Sequence, residues 1–113
     1  MKQIFTRLAL ALALLGAASI AAIAADEPTH RYIVERTFPK GALDGLDAAA
    51  KAKVNANNAT YGVRWEMSYA NADKTKTYCV YDAPTAEAIR KAASANNIPV
   101  DSITEVPVTL ESH

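Results

Sequence analysis

The sequence holds one cysteine, two histidines and four glycines in 113 residues, and each scarcity removes a class of reading. A single cysteine, Cys79, cannot close an internal disulfide, so the fold rests on core packing or on a partner subunit. Free cysteine behaves as a small apolar side chain, and Cys79 is expected in a buried strand. A metal thiolate or an intermolecular disulfide are its other uses. Both histidines, His30 and His113, fall near the ends of the chain that follows residue 25. The middle is thus left without an imidazole for a Ser–His or Cys–His pair. No G-x-S-x-G, H-E-x-x-H, C-x-x-C or glycine-rich phosphate loop occurs. An enzyme is not the leading reading.

Charge of one sign is also lacking. Lys2 and Arg7 are the only charges before Asp26. Beyond them stand 10 basic and 12 acidic residues, a net −2 with no basic run. Such a surface is a poor match for nucleic acid.

Long apolar runs are missing after residue 25, but one lies before it. Residues 8–15 are uninterrupted Leu and Ala, followed by small and apolar residues to Ala25. A positive start, an apolar middle and a small-residue end make a secretory signal over residues 1–25. Ala22-Ile23-Ala24 fits the cleavage pattern, which makes Ala25 the first mature residue; cleavage after Ala25 fits nearly as well. A membrane anchor of about 17–20 residues is the rival. The weakly hydrophobic, Ala-rich composition favours removal. The expectation is an exported protein, periplasmic or extracellular, with no stable membrane anchor and one domain over residues 26–113.

Within that domain the hydrophobic period switches repeatedly. Residues 31–38 are β-branched and aromatic and read as a strand, stopped by Pro39-Lys40-Gly41. Over residues 42–58, Leu43, Leu46, Ala50 and Val54 recur at helical spacing. Val63, Trp65, Met67 and Tyr69 alternate with Arg64, Glu66 and Ser68, which predicts a strand with one buried face. A turn at residues 71–74 and a strand at residues 75–82 complete a hairpin. Ala83-Pro84 opens a second helix, with Pro84 in its first turn and a stripe of Ala86, Ile89 and Ala93. Residues 103–110 form a last strand, and Pro107 within it argues for an edge position or a break. The order βαββαβ is that of an α+β ferredoxin-like domain, a four-stranded antiparallel sheet with two helices on one face.

Particular residues carry a family resemblance. Glu35-Arg36-Thr37-Phe38-Pro39 closes the first strand, and Trp65 is followed by Ser68-Tyr69. Cys79-Val80-Tyr81-Asp82-Ala83-Pro84 leads into Glu87-Ala88-Ile89-Arg90, and Asn97-Ile98-Pro99 precedes Ile103-Thr104-Glu105-Val106. Over about residues 31–108 the chain is similar to a bacterial family of small ferredoxin-like domains of uncharacterised function that includes nickel-binding members. The resemblance implies a dimer and surface-bound nickel. Family members often carry histidine after the Ile-Arg pair of the second helix, where this chain has Lys91-Ala92-Ala93.

Nickel and its neighbours favour imidazole, thiolate and some carboxylate. The candidate metal ligands are therefore His30, Glu35, Glu66, Cys79 and Glu105. If the three glutamates share the open sheet face they form a carboxylate cluster there. Arg36 and Arg64 are the basic residues placed to pair with them. Tyr32, Trp65, Tyr69, Tyr78 and Tyr81 all lie on expected strands. With helices on one face only, some of these rings line the other, which is the surface of an expected homodimer. The leading reading is an exported, non-catalytic metal-binding protein with nickel as the metal. The alternatives are a binding module holding a small organic ligand between open sheet faces, or a dimeric ferredoxin-like barrel enzyme such as a monooxygenase or isomerase.

Overall fold

The computed structural model describes residues 27–113, and the signal expected over residues 1–25 lies outside them. Strand β1 spans His30–Thr37, helix α1 Ala48–Thr60, β2 Arg64–Ala70, β3 Lys76–Ala83, α2 Ala86–Ala95 and β4 Ser102–Glu105. The four strands form one antiparallel sheet in the order β2-β3-β1-β4. This is the expected ferredoxin-like arrangement, with β1 and β3 central and β4 on an edge.

Strand parity divides the sheet because successive side chains point to opposite faces. Tyr32, Val34 and Arg36 of β1 stand opposite Tyr81, Cys79 and Thr77 of β3, and all six are buried. This is the helix-covered face. Ile89, Ala92 and Ala93 of α2 are buried with it. Val34 and Ile89 are the largest fully buried side chains, and burying each contributes about 1.5–3 kcal/mol. Cys79 fills a core position, as expected of a free strand cysteine, and its thiol donates to Thr77 Oγ1 at 3.6 Å.

The helices are joined by amides as well as by apolar contact. Asn57 Nδ2 donates to Asn96 Oδ1 at 2.8 Å, and Asn96 Nδ2 donates to Asn58 Oδ1 at 3.0 Å. Asn58 is the one buried residue of α1. Its Oδ1 is paired in this way while its buried Nδ2 has no partner among the described residues, and an unpaired buried donor forfeits its bonds to water.

Four elements differ from the sequence expectation. Helix α1 begins at Ala48, not at residue 42, because Asp47 caps it by accepting from Ala50 N at 2.9 Å. Leu43 and Leu46 sit in the preceding turns, where Gly41 takes a positive φ of 86° that glycine adopts without strain. Helix α2 is capped by Thr85, whose hydroxyl accepts from Ala88 N at 3.0 Å, so Pro84 lies outside it. Strand β2 carries a bulge between Trp65 and Met67. The extra residue reverses parity, so Trp65 and Ser68 face the helices while Met67 and Tyr69 are 50% and 63% exposed on the other side. Strand β4 stops at Glu105, before Pro107, which cannot donate to the ladder.

Candidate functional site

One end of the sheet brings two of the expected metal ligands together. His30 begins β1 and Glu105 ends β4, and the antiparallel register of these strands places His30 Nδ1 3.5 Å from Glu105 Oε2. Both side chains are about half exposed. The chain beyond β4 is tied back by Val106 N donating to Arg31 O at 2.9 Å. The pair borders a surface cleft of about 390 Å³ shared with Thr29, Asp82 and Pro107. Asp82 adds a second carboxylate to that cleft, but Arg31 and Arg64 hold it at 4.0 and 3.5 Å.

The other three candidates lie elsewhere. Glu35 faces the open side of β1, where it accepts from Ser102 Oγ at 3.0 Å and lies 3.6 Å from Lys76 Nζ. Glu66, at the bulge, accepts from Arg64 Nε at 2.6 Å, and this bond holds its carboxyl below the usual range. Cys79 is buried under the helices. The three glutamates therefore do not converge. Among the described residues no group of three or more His, Cys, Asp or Glu side chains is placed to hold a metal ion.

The open face of the sheet is apolar at its centre and charged at both ends. Ile33, Val80, Met67, Tyr69 and Tyr78 share it by register, and the last three are the most exposed of them. Arg31, Arg64, Glu66 and Asp82 rim one end. At the other end Asp101 accepts from Thr37 Oγ1 at 2.6 Å and from Lys76 Nζ at 3.0 Å. These two bonds hold the Asp101 carboxyl below the usual range.

A further feature lies beneath the sheet, on the helix side. A cavity of about 100 Å³ is walled by Phe38, Leu43, Leu46, Val54, Trp65 and Ile98. Arg36 reaches it from β1 and is only 2% exposed. Its guanidinium donates to Pro99 O at 2.6 Å and to the Tyr81 hydroxyl at 3.1 Å, and lies 5.6 Å from the Tyr81 ring centroid. Of the two arginines expected to pair with glutamates, Arg64 does so and Arg36 does not. The parity that groups Arg36 with Tyr32 and Val34 was the available signal for this, since it puts all three on the buried face.

Among the described residues no helix is long and apolar enough to cross a membrane. A family model described as nickel responsive protein SCO4226-like matches residues 32–106. The crystal structure of SCO4226 from Streptomyces coelicolor A3(2) superposes with a TM-score of 0.60 at 22% identity, covering 71% of this chain and 99% of that one. At that identity the likeness supports the fold. No curated protein matches the chain.

Proposed function

Because this chain belongs to the SCO4226-like family of nickel responsive proteins, we propose that it is an exported, non-catalytic domain that binds nickel(II) reversibly, with the His30–Glu105 pair as the contact point. The carrying observation is that pair: it is where register brings an imidazole and a carboxylate together on an accessible surface. Both donor types suit a first-row divalent metal. The fit is one of type and not of number, since two donors fall short of the four or more that a tightly held ion takes. Nickel is therefore read as a ligand that comes and goes. Its remaining positions are filled by water or by donors of another molecule. Export rests on the signal pattern of residues 1–25.

The same reading includes a homodimer through the open sheet face. Met67, Tyr69 and Tyr78 are large, exposed and contiguous by register, and a second copy would remove them from water. The charged ends would form the rim, as interfaces commonly have an apolar centre and a polar border.

Calorimetric titration with nickel, and with zinc and copper for comparison, tests the metal reading. Saturable nickel uptake that weakens about tenfold or more in His30→Ala and in Glu105→Gln is expected. Protons compete with metal for nitrogen and oxygen donors, so uptake should also weaken on acidification. Equal weak heats from all three metals, or uptake indifferent to both substitutions, would contradict it.

A further inference from the structure

We propose that the cavity beneath the sheet binds a small apolar monocarboxylate, its carboxylate on the buried Arg36 guanidinium and its body against Phe38, Leu43, Leu46, Trp65 and Ile98. The site is separate from the nickel contact, and neither reading depends on the other.

The first argument is charge. A guanidinium stays protonated in proteins and carries five N–H donors. Two of those donors are used, both on neutral acceptors, the Pro99 carbonyl and the Tyr81 hydroxyl. Among the described residues no ion pair includes Arg36. Asp101 feels its charge, but that carboxylate is engaged by Thr37 and Lys76. A buried cation without an anion is costly, and the Tyr81 ring compensates only in part. A carboxylate meets the planar fork of a guanidinium with two parallel bonds. Beside a guanidinium that is itself buried that attraction is stronger than at the surface.

The second argument is the walls. Apart from Arg36, the Ser68 and Thr77 hydroxyls and the Tyr81 phenol, the lining is hydrocarbon and aromatic. Such walls reject phosphate or sulfate, whose other oxygens would be left without partners, and accept an apolar body. Size sets the rest. A dry apolar cavity of about 150 Å³ holds benzene. The cavity here, about 100 Å³, is smaller and on the same scale suits a short acid of about two to four carbons. Phe38, Leu43, Leu46 and Ile98 also line an outer cleft of about 470 Å³, so this half-buried wall is the way in.

Trp65 is the chain's only tryptophan, lines the cavity and donates from Nε1 to Ser68 Oγ at 2.8 Å, so its fluorescence reports occupancy. The experiment titrates the purified chain with propionate and isobutyrate, and with 1-propanol and isobutanol as uncharged counterparts. Saturable changes with the acids, at least tenfold weaker with the alcohols, are expected. Arg36→Met keeps the side-chain volume without the charge and should weaken the acids at least tenfold. Leu46→Phe fills the cavity while keeping Arg36 and should do the same, which decides the matter if the Arg36 variant does not fold. Equal binding of acids and alcohols, no saturation with either acid, or undiminished acid binding in Leu46→Phe would overturn the proposal.

Discussion

Arg36 and Tyr81 form one buried unit across the two central strands: the guanidinium donates to the phenol oxygen at 3.1 Å and lies 5.6 Å from the ring centroid. Tyr81→Phe keeps the ring and removes the acceptor, leaving a buried charged donor with one partner fewer. The expected loss is about 1–3 kcal/mol, read from the urea midpoint. A midpoint unchanged from the parent would show that the hydroxyl contributes nothing.

The same tyrosine gives an alkaline signature. Burial pushes its hydroxyl above the ordinary tyrosine value, while Arg36 pulls it partly back. In the unfolded chain tyrosine ionises near pH 10, whereas the native form resists. The stabilisation is therefore complete below about pH 10 and is lost as pH rises beyond it. Denaturant midpoints followed across that window should fall, and fall less steeply in Tyr81→Phe.

On the acid side the informative group is Asp101, held below the usual carboxylate range first by the Thr37 hydroxyl and then by Lys76. A lowered carboxyl stabilises the native state above the unfolded value, about 3.9, and that stability is lost as pH falls below it. Asp101→Asn should change stability little at neutral pH, because the group is exposed. It should flatten the acid limb of the stability curve. An acid limb identical to the parent's would remove Asp101 from the account.

Association through the open face predicts that Tyr69→Glu or Met67→Asp dissociates the dimer. An unpaired charge buried at an interface costs about 3–5 kcal/mol, roughly a hundredfold to several thousandfold in affinity. Sedimentation should show folded monomer for either variant, with parent-like circular dichroism. A parent that is monomeric at high concentration would contradict the interface.

Much of this fold was legible because periodicity is local. Strand β1, read from its β-branched and aromatic residues, and the α2 stripe through Ile89 and Ala93 appear where composition and spacing predict. The misreadings have physical causes. Leu43 and Leu46 have helical spacing, yet the backbone around Gly41 and Gly45 turns, and the Asp47 cap resets the start. The β2 bulge leaves no mark in composition, so Met67 and Tyr69 read as buried when they face outward. The candidate site was less legible. His30 and Glu105 are 75 positions apart, and only the β1–β4 register brings them together. Glu35 and Glu66 satisfied the same chemical criterion but were diverted to Lys76 and Arg64.

The most direct measurement is to map nickel(II) by paramagnetic broadening of backbone amide signals in the isotopically labelled chain. Substoichiometric nickel should first erase the amides of His30, Arg31, Glu105 and Val106, and leave Cys79 and Glu35 sharp. The effect should vanish in the His30→Ala, Glu105→Gln double variant. Broadening confined to the tail around His113, or no site-selective loss, would contradict nickel binding at the His30–Glu105 pair.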